Sequence, residues 1–334
     1  MSERKVAVLV AGSWGTALAS VLADNAIQVA LWSWSAEQVA ELNATRKLSK
    51  FAFEHRIPDR VTAVHSLAEA VQVAEAIVIA APTSAMLEIS AQLATLVKPH
   101  QLIIHVAKGF EKQSLQRMSQ VIATQIPQYD ARRIVVLSGP SHAEEVILHK
   151  PTTVVVAAAD IEASKQALAL FFNENFRVYL NEDLIGVEIA GALKNIIALA
   201  AGMSDGLGLG DNAKAALVTR GLNEIVNLGV KLGGRKETFF GLAGLGDLLV
   251  TCGSLHSRNY RAGFMIGEGK QVDQDNKING MVVEGINTTK AAYRLSREHG
   301  VSMPIVEQLY HVLFEGKQPR QAVYDLMTRD ARIE

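Results

Sequence analysis

The feature that most constrains the fold of this chain is the alternation of short apolar runs with helical stretches through its first half. The runs are rich in valine, isoleucine and leucine, which is typical of buried strands, and the stretches between them have helical periodicity. Such alternation indicates a parallel sheet with helices on both faces, because parallel strands need long crossover connections. Strands are predicted at residues 5–10, 27–32, 61–64, 76–80, 102–106, 134–137, 153–157 and 177–179, and helices at 14–25, 36–45, 85–96, 115–125 and 161–172.

The second half of the chain has a different pattern. Strand signals stop near Asp183, and helical periodicity dominates from there to the end. At 334 residues the chain is longer than one core usually supports, so two domains are expected. We therefore predict an α/β domain at residues 1–182, with a mostly parallel sheet and helices on both faces, and an all-α domain at residues 183–334.

Charge and cysteine content exclude several function classes. The formal net charge is −1, which gives no general field for nucleic acid or a membrane surface, so an anion site must be local. The single cysteine, Cys252, excludes an internal disulfide and is compatible with a reducing compartment. The apolar run at the N-terminus is too short for a signal peptide or a membrane span. A cytoplasmic protein that does not insert into a membrane is the expectation.

A glycine-containing turn joins the first predicted strand to the first predicted helix. Residues 10–15 read Val-Ala-Gly-Ser-Trp-Gly, in register with the G-x-G-x-x-G fingerprint of Rossmann-like dinucleotide-binding domains. Gly12 would let the backbone approach a pyrophosphate, and Gly15 would let the helix pack closely. Val10 stands where the fingerprint has its first glycine, and a β-branched residue does not easily adopt that conformation. We predict either weakened cofactor binding or a slightly reshaped turn; an ordinary glycine-bearing turn is the alternative.

The end of the second predicted strand bears on the choice of cofactor. An acidic residue there would bind a ribose 2′-hydroxyl, but the chain has no acid before Glu37 and no arginine before Arg46. The sequence therefore leaves the choice between NAD and NADP open. Trp34 either stacks on the adenine or is an ordinary packed tryptophan.

Residues 186–202 form a predicted helix that is apolar almost all round, which is typical of a buried helix. Its only charge after Glu188 is Lys194. Burial disfavours the charged form of a lysine, so the side chain must find partners or lose its proton. One interpretation is a structural lysine whose stem lies on apolar surface with its head in water or paired. The other is a catalytic acid or base.

Four more positions carry groups suited to binding or catalysis. Two of these positions follow predicted strands, at the edge of the sheet where α/β proteins bind ligands. They are Lys108 and the turn at residues 138–143, which contains Gly139 and Ser141. Asp247 is either a helix N-cap or a carboxylate that pairs with the buried lysine. Arg258 opens a helix and could form a compact anion site. A solvated surface side chain or a plain cap is the alternative at these positions.

Together these stretches resemble the bacterial NAD(P)-dependent glycerol-3-phosphate dehydrogenase family over essentially the whole chain. The resemblance rests on AGSWGTALA, AKGFE, LSGPSHAEEV, NFRVY, GVEIAGALKNIIALAAGMSDG, the run from Gly241 to Cys252, HSRN and VVEG, in this order. It implies reversible reduction of dihydroxyacetone phosphate to sn-glycerol 3-phosphate, which supplies glycerophospholipid synthesis. Residues 51–56 depart from the family pattern, so no role is assigned to them.

The resemblance also implies roles for individual residues. Lys194 takes the position of the proton donor and acceptor, and Lys108 and Arg258 are implied to face both ligands. The implied cofactor-binding residues, with the two glycines of the turn, are Gly12, Ser13, Trp14, Gly15, Trp34, Lys108, Ala143, Arg258, Val282 and Glu284. The predicted substrate-binding residues are Lys108, Gly139, Ser141, Lys194, Asn195, Asp247, Ser257, Arg258 and Asn259.

Two other functions compete with this interpretation. One is a related dehydrogenase that acts on another small hydroxy acid or sugar phosphate. The other is a non-catalytic sensor of nicotinamide nucleotides, which the valine in the glycine turn would favour. The expected cofactor is NAD or NADP without a metal, and the expected partner is a small-molecule substrate rather than nucleic acid. The sequence does not show the oligomeric state, for which a homodimer is the working hypothesis.

Overall fold

The computed structural model of the chain describes residues 4–49, 56–270, 277–278 and 281–330; of residues 277, 278, 281 and 282 it describes the backbone only. The chain divides into two compact units, Met1–Glu188 and Ile189–Glu334. The domain bounds expected from the sequence, 1–182 and 183–334, stay a prediction.

The first unit is built on one eight-stranded sheet, as the alternating pattern predicts. Its strands are β1 (Lys5–Leu9), β2 (Gln28–Trp32), β3 (Val61–Val64), β4 (Ala76–Ile79), β5 (Leu102–His105), β6 (Ile134–Ser138), β7 (Thr152–Ala157) and β8 (Phe176–Asn181). Their spatial order is β3-β2-β1-β4-β5-β6-β7-β8. Neighbouring strands are parallel throughout, except that β7 runs antiparallel to β6.

The reversal between β6 and β7 follows from the connection between them. A parallel crossover needs an element long enough to return along the sheet. The connection from Ser138 to Thr152 contains only one short helix, Ala143–Val146. Four helical residues rise only about 6 Å, so this segment returns the chain as an antiparallel neighbour.

Helices cover both faces of the sheet. Alternate residues of β1 illustrate the arrangement, since Val6 and Val8 belong to one apolar cluster and Ala7 and Leu9 to the other. The helices are α1 (Ser13–Asp24), α2 (Ala36–Thr45), α3 (Leu67–Gln72), α4 (Met86–Leu93), α5 (Met118–Gln125), α6 (Ala143–Val146) and α7 (Ile161–Phe171). The mostly parallel α/β fold is confirmed, although α3 was not predicted.

A buried carboxylate lies at the end of the first unit, and sequence analysis assigned it no role. Glu188 accepts hydrogen bonds from the backbone N–H of Ser119 at 2.8 Å and from its hydroxyl at 2.7 Å. It also pairs with Arg117, and its Oε1 lies 3.2 Å from Nε2 of His105. Burial raises the pKa of Glu188, but these partners outweigh burial and lower it below its ordinary value.

The second unit is helical, with one small exception. The boundary between the two units lies within α8 (Leu184–Gly206). The helices that follow are α9 (Asp211–Lys231), α10 (Lys236–Phe239), α11 (Asp247–Gly253), α12 (Arg258–Gly267), α13 (Glu284–His299), α14 (Pro304–Phe314) and α15 (Pro319–Met327). A π-helical turn, Leu242–Gly246, precedes α11. The exception is a hairpin of two-residue strands, β9 (Lys277–Ile278) and β10 (Met281–Val282), which is too short to give a periodic signal in the sequence.

The central helix α8 is buried on all sides over most of its length, as its composition predicts. By length and composition it could cross a membrane, but 83% of its most apolar window is buried in the protein, as expected of a core helix. Among the described residues, the bent helix pair Lys236–Gly253 and Arg258–Gly267 is also long and apolar enough to cross a membrane, by length and composition alone.

Close contact between α8 and α12 depends on glycines from both helices. A Cβ atom on Gly202 would lie 2.0 Å from the carbonyl oxygen of Tyr260. A Cβ on Gly263 would lie 1.9 Å from the carbonyl oxygen of Leu199. Because real Cβ atoms do not approach a carbonyl so closely, only glycine permits this backbone-to-backbone packing. The packing brings the first turn of α12 against the helix that carries Lys194.

Candidate functional site

The nucleotide turn of the first unit lies between β1 and α1. Gly12 is the N-cap of α1, and a Cβ atom built on it would meet no atom within 4 Å. A Cβ on Gly15 would lie 2.2 Å from the carbonyl oxygen of Val10. Gly12 therefore leaves open space above the N-terminus of α1, and Gly15 lets α1 pack closely against the backbone of Val10. These are the two properties for which the fingerprint has glycine at these positions. Residues in this arrangement fit a dinucleotide pyrophosphate.

Val10 adopts a backbone conformation that normally needs glycine. Its φ is +79°, and its own N–H and that of Ala11 both donate to the carbonyl oxygen of Trp32, at 3.0 and 2.9 Å. The turn has therefore kept a glycine-like φ with valine in place. A β-branched residue in this region carries strain of about 1–3 kcal/mol.

After β2 the chain has no acid before Glu37 and no arginine before Arg46. The Ser33 hydroxyl lies 2.6 Å from Oε1 of Gln38, whose amide donates to the carbonyl oxygen of Ala11 at 2.9 Å. The guanidinium of Arg46 donates to the carbonyl oxygens of Val61, at 2.8 Å, and Pro58. The first arginine after β2 is thus committed to its own loop.

Trp34 is not packed in the core. Its side chain is 58% exposed, and its ring meets that of Trp32 edge-on at a centroid distance of 6.0 Å. The interpretation as an ordinary packed tryptophan is wrong. An exposed aromatic face beside the nucleotide turn suits stacking on a base.

Lys108 lies after β5 and reaches the turn after β6. Its Nζ donates to the carbonyl oxygen of Gly139 at 3.1 Å, and the hydroxyl of Ser141 donates to the same oxygen at 2.9 Å. Gly139 has a φ of +137° and packs against the backbone of Val154, so the position requires glycine. Ser141 does not cap α6, which begins at Ala143 after His142. The structure therefore brings Lys108, Gly139 and Ser141 together.

Lys194 of α8 is paired inside the second unit. Its side chain is almost fully buried, and its Nζ donates to Oδ1 of Asp247 at 2.8 Å and to Oγ1 of Thr251 at 2.7 Å. Asp247 lies within a continuous helical segment, so the interpretation as an N-cap is wrong. A lysine head in bulk water is excluded too, and the ammonium is held by a carboxylate and a hydroxyl.

Thr251 is a member of this cluster that sequence analysis missed. It lies four residues after Asp247, and its hydroxyl also donates to the carbonyl oxygen of Asp247. The i, i+4 spacing was the available signal, since it places both side chains on one face of a helix.

Cys252 is buried next to the cluster, and burial raises the pKa of its thiol to about 12. The thiol therefore stays protonated at neutral pH.

A second polar chain in this unit joins α8, α12 and the start of α13. The Nδ2 of Asn259 donates to Oδ1 of Asn195 at 2.9 Å, and the N–H of Gly285 donates to Oδ1 of Asn259 at 2.8 Å. A Cβ on Gly285 would lie 2.7 Å from the carbonyl oxygen of Asn195, so this junction also needs glycine. Glu284 is the first residue of α13.

Ser257 and Arg258 lie at the N-terminus of α12. Ser257 is the N-cap, and its hydroxyl accepts a hydrogen bond from the N–H of Tyr260 at 3.1 Å. Its structural role is therefore clear, whereas contact with a substrate stays a prediction. Arg258 is exposed at the first helical position, which is the arrangement expected of an anion site.

Val282 lies in β10, but its side chain is outside the described residues. Among the described residues there is no group of three or more histidine, cysteine, aspartate or glutamate side chains that could hold a metal ion. The remaining predicted residues form four local groups: the glycine turn with Ser13 and Trp14, the Lys108–Gly139–Ser141 contact, the Lys194–Asp247–Thr251 cluster and the Asn195–Asn259 chain.

Comparisons with known proteins agree along the whole chain. The family models for the N-terminus and the C-terminus of NAD-dependent glycerol-3-phosphate dehydrogenase match residues 5–164 and 183–324. The chain is 53% identical over 330 residues to "Glycerol-3-phosphate dehydrogenase [NAD(P)+]" of Lysinibacillus sphaericus, covering 99% of this chain and 98% of that protein. The protein of the same name from Geobacillus kaustophilus is 53% identical over 331 residues, covering 98% and 96%.

A solved structure supports the same comparison. Glycerol-3-phosphate dehydrogenase from Coxiella burnetii superposes on this chain with a TM-score of 0.92 at 38% identity, covering 98% of this chain and 99% of that one. D-mandelate dehydrogenase, at 14% identity and a TM-score of 0.63, shares the fold alone.

Proposed function

This chain belongs to the NAD-dependent glycerol-3-phosphate dehydrogenase family, and we propose that it reduces dihydroxyacetone phosphate to sn-glycerol 3-phosphate with Lys194 as the proton donor. The observation that carries the proposal is the buried ammonium of Lys194, held by Asp247 and Thr251 on an otherwise apolar helix. Such a group can release a proton to a substrate oxygen, and the amine then takes a proton from solvent before the next turnover. The product is a precursor for glycerophospholipid synthesis.

Reduction of the ketone needs a hydride on C2 and a proton on the oxygen of C2. Bound NADH or NADPH supplies the hydride. The Lys194 ammonium stabilises the negative charge that develops on the oxygen and then transfers its proton to it. In the reverse direction the neutral amine takes the hydroxyl proton. Asp247 keeps Nζ in place through both steps, and Thr251 fixes the direction of the second N–H.

We assign the substrate phosphate to Arg258 and the N-terminus of α12. An exposed guanidinium at the first position of a ten-residue helix combines a bidentate donor with unpaired backbone N–H groups. Asn195 holds the polar edge of the substrate, and its bond to Asn259 fixes the orientation of its amide. In the first unit, Lys108, Gly139 and Ser141 are assigned to the ligands on the strength of their convergence.

The cofactor is assigned to the glycine turn of the first unit. Gly12, Ser13, Trp14 and Gly15 would hold the pyrophosphate at the N-terminus of α1, and Trp34 would stack on the adenine. With no acid and no available arginine described at the end of β2, we propose that the enzyme accepts both NADH and NADPH. Ala143, Val282 and Glu284 keep the cofactor roles that the resemblance implies.

The direct test of the reaction is oxidation of NADH and, in parallel, NADPH by the purified chain on addition of dihydroxyacetone phosphate. We expect turnover with both cofactors, and no comparable turnover with hydroxypyruvate or glyoxylate.

Arg258→Gln should raise KM for dihydroxyacetone phosphate at least tenfold. Dihydroxyacetone, which lacks the phosphate, is the control substrate, and the variant and the unmodified chain should reduce it equally poorly. A KM unchanged in the variant would remove Arg258 from phosphate binding.

We also propose a cytoplasmic location and a homodimer. The location is supported by the single, buried and protonated cysteine, which is suited to a reducing compartment. Sedimentation equilibrium of the full chain tests the oligomeric state, and a monomer at micromolar concentration would overturn the homodimer.

A further inference from the structure

The last strand of the sheet in the first unit, β8, has one edge that no described strand covers. It stands at the end of the eight-stranded order, and among the described strands it pairs with β7 alone. An open edge presents a row of backbone N–H and carbonyl groups with which another chain can pair, and soluble proteins usually protect such edges. The hydrogen bonds of β8 show how much of this edge is available.

Alternate residues of β8 direct their backbone groups away from β7. The N–H of Thr152 donates to the carbonyl oxygen of Asn175 at 2.9 Å, which fixes the phase of the parallel ladder. Because the strand has a period of two residues, every second residue of β8 exchanges hydrogen bonds with β7. The residues whose N–H and carbonyl groups point instead to the open edge are Phe176, Val178 and Leu180.

Asparagines at both ends of β8 limit the open edge to two residues. The Oδ1 of Asn173 accepts the N–H of Phe176 at 2.8 Å, and the N–H of Asn173 donates to the carbonyl oxygen of Phe176 at 3.1 Å. At the other end, Oδ1 of Asn181 accepts the N–H of the second residue after it at 2.8 Å, a turn that ends the strand. Val178 and Leu180 are therefore the residues of β8 whose outward backbone groups a further strand could use.

The side chains along this edge are suited to an interface. Tyr179, Leu180 and Phe172, the C-cap of α7, are large apolar residues that are exposed. The guanidinium of Arg177 lies over the rings of Phe172 and Tyr179, at 5.4 and 5.1 Å from their centroids. The strand has no proline and no charge other than this arginine, so it lacks the usual features that prevent edge-to-edge pairing.

We propose that β8 pairs with β8 of a second copy of this chain, antiparallel and about a two-fold axis at Tyr179, so that two eight-stranded sheets become one. In this register Val178 of each copy is opposite Leu180 of the other, and each of these two pairs exchanges two backbone hydrogen bonds. All the outward groups of both residues are then used. The inference rests on the proposed homodimer, for which it names the interface, and does not depend on the proposed reaction.

The ends of the strand exclude the neighbouring registers. A pairing centred on Val178 would need the backbone groups of Phe176, which Asn173 already holds. A pairing centred on Leu180 would extend beyond Asn181, where β8 ends. A pairing centred between two residues is excluded as well, because it would place side chains from opposite faces of the sheet against each other.

The side chains favour a second copy as the partner. The two copies of Tyr179 form a directly opposed pair without hydrogen bonds between them, and in antiparallel sheets the Cα atoms of such a pair lie about 4.5 Å apart. Their rings meet on one face of the sheet, and aromatic pairs in this position stabilise strand pairing. Each Arg177 lies opposite Asn181 of the other copy, so the two guanidiniums are far apart and like charges do not meet.

The experiment is oxidative cross-linking of Tyr179→Cys in the full chain, followed by denaturing gel electrophoresis without reductant. We expect a covalent dimer, because the Cα separation at the two-fold axis is within the range of disulfides. Arg177→Cys is the matched control, since its two copies lie about 14 Å apart along the strands, beyond the reach of a disulfide. The unmodified chain, whose Cys252 is buried, should not cross-link.

Leu180→Pro tests the backbone pairing. The N–H of Leu180 points away from β7, so proline leaves the ladder with β7 intact but removes two hydrogen bonds between the copies and places its ring against the partner strand. Sedimentation equilibrium should show a dimer dissociation constant raised at least tenfold. Far-UV circular dichroism shows whether the fold is kept, and if it is lost, the cross-linking result decides.

The outcomes separate this interface from the homodimer itself. A monomeric unmodified chain at micromolar concentration overturns both. A dimer that gives no disulfide in Tyr179→Cys, or whose dissociation constant is unchanged in a folded Leu180→Pro, overturns the interface and leaves the homodimer. Equal cross-linking of Tyr179→Cys and Arg177→Cys would indicate chance collision and overturns the interface too.

Discussion

At the scale of single residues, Val10 keeps the backbone conformation of a glycine, and this conformation is strained for a β-branched residue. The residue has the φ expected of a glycine, held by hydrogen bonds to the carbonyl oxygen of Trp32. Strain in the turn makes other conformations more accessible when no cofactor is bound. The apparent dissociation constant rises when only a fraction of the protein is competent to bind.

Val10→Gly should therefore tighten the binding of NADH, by about three- to tenfold for strain relief of about 1 kcal/mol. The quenching of intrinsic fluorescence on NADH addition measures the dissociation constant. Val10→Ala is the matched control, since it removes the branched side chain but keeps an L-residue at positive φ, and it should tighten binding less. An unchanged or larger dissociation constant in Val10→Gly would refute the role of strain.

Two buried glutamates, Glu188 and Glu224, respond to pH in opposite ways. Burial raises the pKa of Glu224 to about 7, whereas the partners of Glu188 lower its pKa. Between pH 4.5 and 7 the folded chain keeps a proton on Glu224 that the unfolded chain has lost, so stability falls as pH rises through this window. The stability from Glu188 is lost only in more acidic solution, near and below the ordinary pKa of glutamate.

We predict that Glu224→Gln reduces the loss of stability between pH 5 and pH 8. The glutamine stays neutral throughout, so the variant lacks a contribution of at most roughly 3 kcal/mol that the proton on Glu224 makes. Urea unfolding of both proteins at the two pH values gives the comparison, and groups common to both cancel. Identical pH dependence in the two proteins would contradict the shifted pKa.

Residues predicted from the sequence were those with a local pattern. Lys194 stood out because it was a lone charge on an apolar helix, and Gly12 and Gly15 because a strand and a helix flank them. Thr251 gave only a weak signal, its i, i+4 spacing from Asp247. Its importance depends on the Lys194 side chain that packs against it, and no local pattern in the sequence shows that contact.

At the scale of elements, the contact between α8 and α12 is the least tolerant of added volume. Gly263→Ala would place a methyl group 1.9 Å from the carbonyl oxygen of Leu199 unless the helices move apart. We expect the free energy of unfolding to fall by about 3 kcal/mol or more, because the obstacle is backbone that cannot rotate away.

Gly253→Ala is the control for this prediction. Gly253 is the last residue of α11, and a Cβ there meets nothing within 4 Å. The substitution should be neutral or stabilise the protein by up to about 1 kcal/mol through reduced freedom of the unfolded chain. Urea unfolding of both variants is the measurement, and equal stabilities would show that the helices can separate without cost.

Element boundaries were predicted well where the apolar pattern ended abruptly and less well elsewhere. The helix expected from residue 115 begins at Met118, because Leu115 has a φ of +58° and cannot start a right-handed helix. The strand β7 was predicted at residues 153–157, but its antiparallel direction was not. Strand direction depends on the length of a connection in space, and the sequence pattern shows only the order of elements.

At the scale of the whole molecule, two kinds of inference converged. Alternation and helical periodicity predicted the α/β sheet and the helical second half, and the resemblance predicted the family to which the chain belongs. The sheet and the helices are as expected, and relatives match along almost the full length. Of the two partners of Lys194, the sequence offered Asp247 as one interpretation, and the structure adds the hydroxyl of Thr251.

The central claim is that Lys194 is the proton donor in the reduction of dihydroxyacetone phosphate. The measurement that tests it most directly is kcat for NADH oxidation by Lys194→Ala, alongside the NADH dissociation constant of the same variant. We predict that kcat falls by roughly 10²- to 10⁴-fold, the usual contribution of general acid catalysis, while the dissociation constant stays within about twofold. Near-normal turnover in the variant would contradict the assignment.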